Sequence, residues 1–270
     1  MRINTNMNAM IATNQMSKNT ALSGKSMEKL STGLRITKAG DDAAGLAISE
    51  KMRAQIKGME QADRNVQDGI SMVQTQEGAL EEAGNIAQRM RELAVQGGNT
   101  TLTTTDRTKL STELTQLNEE MSKIAKETKF NGQAILDGTV ATTTIQAGAN
   151  DETRSITNVN LSSIQNTLSA AVSADSLASA NALVTALDTA LESINNGRSK
   201  LGAMQNRLEY TSSNLTTSTE NLSAAESRIR DVDVAKEMVT LSKLNILNQA
   251  SQAMVSQAKQ QPESVTQLLR

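Results

Sequence analysis

The chain has 270 residues and a formal net charge of -2, with one Pro, one Tyr, one Phe and no Trp, Cys or His. That composition excludes disulfides and thiolate sites, and it removes both the commonest metal ligand and the side chain best matched to proton transfer at neutral pH. It offers no bulk attraction to nucleic acid, and it points to a helical, non-catalytic chain whose core is Leu, Ile, Val, Met and Ala in thin seams rather than aromatic rings.

Residues 3–33 are helix-compatible, with apolar points at Ile3, Met7, Met10, Ile11, Leu22, Met27 and Leu30 and with Gly33 placed to end the helix. Residues 34–42 (LRITKAGDD) read as a linker, after which Asp41 or Asp42 caps a long helix over 43–97. That helix would be about 80 Å long at 1.5 Å per residue. Met52, Met59, Val66, Val73, Leu80, Ala87 and Ala94 recur along it at every seventh position, and Gly97-Gly98 stops it. A shorter helix over 107–128 follows, striped by Leu110, Leu114, Leu117, Met121 and Ile124. Residues 130–161 read as a β-hairpin region, opened by the turn signals Asn131-Gly132 and Asp137-Gly138. Residues 162–182 form a short connection rich in Ser and Ala.

A second ladder occupies the helix over 183–230. Leu187, Ile194, Leu201, Leu208, Leu215, Leu222 and Ile229 stand seven apart, separated mostly by Ser, Thr, Asn and Glu. Such a thin stripe needs a partner. The arrangement predicts antiparallel packing against the Met52–Ala94 stripe and the 107–128 helix, with a left-handed supercoil. A last helix over 238–267 ends near Pro262. The expected fold is mainly α: a long antiparallel helical-bundle or coiled-coil rod, a small β-hairpin region and a two-helix terminal coiled coil.

The termini have a second peculiarity. Residues 3–17 (INTNMNAMIATNQMS) and 244–258 (LNILNQASQAMVSQA) carry no charge. Solvated helices interleave charges of both signs, and weakly apolar helices are marginal alone in water. These segments are therefore expected to fold against copies of themselves. No run approaches the roughly 18 apolar residues of a membrane span, and residues 1–30 hold no signal-peptide core. Asp41-Asp42 and the Asp231/Asp233 pair read as a cap and a charged hinge rather than catalytic carboxylates. No phosphate-binding, dinucleotide or metal-ligand spacing is present, so no cofactor is expected.

In the stretch QRMRELAVQ, taking Ala87, Met90 and Ala94 as core-facing places Arg89, Leu93 and Gln96 together on the opposite side at 100° per residue. An exposed Leu93 between Arg and Gln would form a contact patch.

MRINTN, LSTGLRITKAGDDAAGLAISEKMRAQIKG, QDGISMVQTQEGALEEA, QRMRELAVQ, FNGQAILDG, SRIRDVDVAKEMVTLSK and NILNQASQAMVSQAKQQPESVTQLLR together resemble bacterial flagellin. The resemblance spans residues 1–155 and 183–270, and only the 162–182 stretch stands where many flagellins insert large outer domains. It implies a short flagellin that polymerises with copies of itself into the flagellar filament, outside the cell, exported through the flagellar channel without a cleaved signal peptide.

The resemblance further implies an inner-tube domain of residues 1–42 plus 235–270 and a rod domain of 43–234. Met7, Ile11, Leu247, Met254, Val265, Leu268 and Leu269 would be filament-core residues. Gln88, Arg89, Leu93, Gln96 and Glu113 match the stretch that touches neighbouring protofilaments and the host Toll-like flagellin receptor. Implied partners also include a flagellin-specific export chaperone, which would bind the last helix, the flagellar cap and junction proteins, and the intracellular flagellin sensor of host cells. No nucleic acid or membrane partner is implied. A hook–filament junction protein, which shares the terminal helices, and a non-flagellar coiled-coil adaptor remain the competing readings.

Overall fold

The computed structural model describes residues 6–173 and 176–268, the stretch 261–268 through its backbone alone. In chain order the elements are α1 (Met7–Thr32), α2 (Ala43–Gly97), α3 (Thr104–Glu127), β1 (Lys129–Phe130), β2 (Gln133–Ala134), β3 (Thr142–Gln146), β4 (Thr153–Thr157), α4 (Leu161–Ser169), α5 (Leu177–Arg230) and α6 (Val234–Leu268). The fold is mainly α with two small antiparallel two-stranded sheets. Two compact units emerge, Met1–Ala54 with Asn221–Arg270, and Gln55–Glu220; the divisions fall inside α2 and α5.

Local chemistry sets the helix ends. The Asn6 side chain accepts from the Ala9 N–H at 3.1 Å and starts α1, and Gly33, at φ 72°, ends it in a conformation glycine adopts without penalty. The two adjacent aspartates divide their work. Asp42 caps α2 by accepting from the Gly45 N–H at 2.9 Å. Asp41 instead organises the preceding turn, accepting from the Thr37 hydroxyl and the Thr37 and Lys38 amides, and these bonds hold its carboxyl below the usual range. Helix α3 starts three residues before the expected 107 because Thr103 and Asp106 form a reciprocal cap that the pattern of apolar residues does not show. Residues 162–182 are not merely a connection. Asn160 accepts from the Ser163 N–H at 2.8 Å and begins α4, whose Leu161 and Leu168 are fully buried, and α5 starts at Leu177 rather than 183.

In the unit of residues 55–220 the helices α2 and α5 run antiparallel. Cross-helix pairs mark the order: Asp63 accepts from Ser212 at 2.6 Å, Arg198 lies 3.8 Å from Glu77 and 3.7 Å from Glu81, and Arg91 meets Asp188 at 2.6 Å. Between them the two ladders close, with Val66, Val73, Leu80, Ala87 and Ala94 facing one core with Leu187, Ile194, Leu201, Leu208 and Leu215, all buried. Helix α3 adds Leu114 and Met121 to that core, the β3–β4 hairpin adds Ile145 and Ile156, and the loop after β2 adds Leu136.

The β3–β4 hairpin pairs Thr142 with Thr157 through Gln146 with Thr153, which puts Ile145 and Ile156 on one face. That face reaches α2 where α2 has no side chain. A Cβ at Gly69 would overlap Ile145 Cδ1, and one at Gly58 would come within 2.9 Å of Ala149 Cβ and 3.1 Å of its Cα. The β1–β2 turn holds Asn131 and Gly132 at φ 49° and 80°, the positive values a two-residue hairpin turn demands.

In the other unit α1 and α6 pair antiparallel. Asn6 donates to the Ala258 carbonyl at 2.7 Å, Thr20 to Asn248 and Ser23 to Asn245, both at 3.4 Å. Below them, Leu34 and Asp231 form an isolated antiparallel bridge, backed by Val232 N–H donating to the Gly33 carbonyl at 3.0 Å. There Arg230 reaches Glu50 at 2.6 Å, and the hydrogen bond from that guanidinium holds the Glu50 carboxyl below its ordinary value.

Candidate functional site

The α1/α6 pair is built with its large apolar side chains outward. The buried positions of α1 are Ala12, Asn19 and Ser26, seven apart; those of α6 are Leu244, Ser251 and Ala258, also seven apart and in the opposite order. Asn19, only 3% exposed, donates to the Ser251 hydroxyl at 3.4 Å in the middle of the seam, and Ser251 donates onward to the Leu247 carbonyl at 2.7 Å. A seam of Ala, Ser and Asn with a single Leu, Leu244, brings two backbones close but hides little apolar surface. Of the expected apolar points of α1, Met7, Met10, Ile11, Leu22 and Met27 are exposed and Leu30 is half-buried, while Ile3 lies outside the described residues.

Four of the expected filament-core residues lie on the outside. Met7, Ile11, Leu247 and Met254 are all exposed, Ile11 at 61% and Met254 at 62%. Ile11 and Met254 border an open groove of about 400 Å³ between α1 and α6, floored by Ala12 and Ala258. Val265 and Leu268 lie on the α6 backbone with side chains outside the described residues, and Leu269 lies outside them altogether. Leu22, Met27, Val239 and Ile246 are further exposed apolar side chains on these two helices. Soluble monomers rarely gather so many on one element. Sequence reasoning found the uncharged termini but not the small-residue seam, whose signal is the Ala12, Asn19, Ser26 repeat.

The QRMRELAVQ patch differs from its expected form. Leu93 is not exposed: it is 2% accessible and part of the core. The reason is α3. Arg89 Nη2 meets Glu113 Oε1 at 3.0 Å, and Arg107 donates to the Gly97 carbonyl at 2.7 Å, so α3 lies along the flank of α2 that a two-helix pairing would leave open. With α5 on one side and α3 on the other, the buried arc of α2 widens to take in Leu93 together with Met90 and Ala94. The apolar side chain presented to solvent here is Val95, 56% exposed, which the helical pattern did not single out.

Gln88, Arg89 and Gln96 are exposed and Glu113 is half-buried. Arg89 is shared between Glu113 and Glu92, each 3.0 Å away, and those hydrogen bonds raise its pKa further above an already basic value. The result is a hydrogen-bonded surface cluster of one guanidinium and two carboxylates.

The remaining acids serve local structure. Asp233 accepts from the Lys236 N–H at 3.2 Å at the start of α6, and Asp231 accepts from the Ser227 hydroxyl at 2.6 Å. Among the described residues no group of three or more His, Cys, Asp or Glu is arranged to hold a metal ion, and no helix is long and apolar enough to cross a membrane.

Comparison with known proteins places these faces in context. Residues 3–141 match the family model of the bacterial flagellin N-terminal helical region, and residues 184–269 that of the C-terminal helical region. The chain is 55% identical to a flagellin of Halalkalibacterium halodurans and 48% identical to a flagellin of Bacillus subtilis, in each case over the whole of both chains. It is 44% identical to the flagellar filament 33 kDa core protein of Treponema phagedenis, again over the whole of both. Among solved structures, Bacillus cereus flagellin aligns with a TM-score of 0.52 at 34% identity, covering 60% of this chain and 94% of that one. A putative flagellar hook-associated protein from Vibrio parahaemolyticus shares the fold, with a TM-score of 0.62 at 16% identity, covering 71% of this chain and all of that one.

Proposed function

Since the chain belongs to the bacterial flagellin family and is a structural subunit of the flagellar filament, we propose that its α1/α6 pair is the part that lines the filament's inner tube and drives polymerisation. Residues 1–42 with 235–270 are the inner-tube helices in this reading, and 43–234 the rod. Met7, Ile11, Leu247 and Met254, with Val265, Leu268 and Leu269 beyond them, supply the contacts with other copies. The observation that carries the reading is the outward apolar face of α1 and α6 around a seam of Ala, Asn and Ser. In a lone chain that surface stays wet; between copies it gains the burial the seam does not supply.

Removing residues 244–270 tests the assignment. The truncated chain should form no filaments by electron microscopy while keeping most of its helical circular-dichroism signal, since the core of residues 55–220 is untouched. Filaments from the truncated chain would refute it.

The surface of Gln88, Arg89, Gln96 and Glu113, held in place by the buried Leu93, is proposed as the rod's contact with neighbouring protofilaments and with the host Toll-like flagellin receptor. What supports this is its exposure on two adjacent helices, which the Arg89–Glu113 ion pair joins at 3.0 Å. The export chaperone and the intracellular host sensor are proposed to take the last helix, and the cap and junction proteins to meet the filament ends. The proposed location is the extracellular filament, reached through the flagellar export channel without a cleaved signal peptide. A junction role has less support, because the hook-associated relative is 16% identical and the whole-length flagellins 48–55%.

A further inference from the structure

The methionines of this chain are divided by location. Among the described residues, Met72, Met90 and Met121 are buried in the unit of residues 55–220, Met59 and Met204 are half-buried there, and Met16 and Met52 are half-buried in the other unit. The exposed ones, Met7, Met10, Met27, Met238 and Met254, all lie on α1 and α6. Each is at least 48% accessible. Met254 borders the groove between the two helices. The chain has no Cys, so these thioethers are the most readily oxidised sulfurs it offers to solvent.

We propose that Met7, Met10, Met27, Met238 and Met254 form a reversible oxidation site through which a peroxide switches off self-association. The proposal rests on the assembly reading above. The step is a two-electron transfer of oxygen. A sulfur lone pair attacks one oxygen of hydrogen peroxide, the O–O bond breaks, and proton transfer releases water. The thioether is oxidised to a sulfoxide and the peroxide is reduced. The product replaces a soft apolar side chain with a strong hydrogen-bond acceptor. In the lone chain that acceptor is solvated by water, so the fold is undisturbed. Between copies it is buried without a donor, which opposes association. A methionine sulfoxide reductase supplied with a dithiol reverses the change: the two thiols are oxidised to a disulfide, the sulfoxide is reduced to the thioether and its oxygen leaves as water. Burial shields Met72, Met90 and Met121, so a limited dose should modify the five exposed sites first and leave the rod core intact.

The full-length chain, held as monomer, is treated with hydrogen peroxide, mapped by peptide mass spectrometry and added to short filament seeds. Sulfoxide should appear at the five exposed sites before Met72, Met90 and Met121. Seeded elongation, followed by light scattering and electron microscopy, should need about tenfold or more protein to proceed. Treatment with methionine sulfoxide reductase should restore it. A variant with Leu at the five positions should elongate equally well before and after the same dose.

Unchanged elongation by chains carrying the five sulfoxides would overturn the proposal, as would equal loss of elongation by the peroxide-treated Leu variant. Should that variant not elongate at all, the sulfoxide map and reductase rescue of the natural chain decide alone. Failure of the untreated natural chain to extend seeds would instead refute the assembly reading beneath it.

Discussion

In the unit of residues 55–220 the buried positions that recur every seventh residue are Val66, Val73, Leu80, Ala87 and Ala94 on one helix and Leu187, Ile194, Leu201, Leu208 and Leu215 on the other, large apolar side chains at eight of the ten. In the unit of residues 1–54 and 221–270 they are Ala12, Asn19 and Ser26 against Leu244, Ser251 and Ala258. Both pairs of helices are antiparallel and both keep the same repeat. Burying a Leu contributes about 1.5–3 kcal/mol, whereas Ala hides a fraction of that area and Ser or Asn adds a polar group to satisfy. Ordering each residue costs about 1–2 kcal/mol of backbone entropy in either unit. The first seam can offset that cost within one chain. The second leaves most of its large apolar side chains exposed, Ile11 and Met254 among them.

The sharpest way to break the comparison is to truncate one large side chain in each unit. Leu208→Ala, at a fully buried site, should lower stability by about 2–5 kcal/mol in denaturant unfolding. Ile11→Ala should change monomer stability by about 0.5 kcal/mol or less and yet impair polymerisation. Equal stability losses would mean that the terminal pair has a core of its own. Gly58→Val should cost about 1–3 kcal/mol, because Ala149 has no rotamer with which to yield to the new side chain. An unchanged melting curve for that variant would show that the β3–β4 loop does not lean on α2.

Smaller effects sharpen the contrast within the terminal pair. Asn19→Ala removes the side-chain bond from α1 to Ser251 but leaves Ser251 bonded to the Leu247 carbonyl. The expected loss is about 1 kcal/mol, read as faster proteolysis of the termini; protection equal to the natural chain would mean the pair does not hold the register. The smallest effect concerns the Glu50–Arg230 pair. Its carboxyl titrates below the ordinary glutamate range in the folded chain. The stabilisation is therefore present above the unfolded glutamate pKa and lost as pH falls through the folded one. The stability difference between the natural chain and Glu50→Gln should be small at neutral pH, because the pair is partly exposed. It should vanish in acid, and a difference independent of pH would remove the pair from the account.

Much of this architecture is set by local chemistry and is therefore written in the sequence. Seven-residue ladders determine that long helices pair, because the period aligns Leu with Leu whatever surrounds them. The absence of Pro before position 262 leaves α2 and α5 uninterrupted, and Asn-Gly at 131–132 forces a hairpin. The uncharged termini likewise mark the helices on which Met7, Ile11, Ile246 and Met254 are exposed.

What only the tertiary structure decided is which side of each helix those surfaces occupy. Leu93 is buried because α3 returns along a second flank of α2, and Val95 takes the exposed place. Large apolar residues such as Ile11 and Met254 face outward because Ala12 and Ala258 form the closer fit between backbones. A periodic pattern specifies that a face exists. Which neighbour covers it depends on contacts far apart in the chain, and no spacing along one helix encodes them.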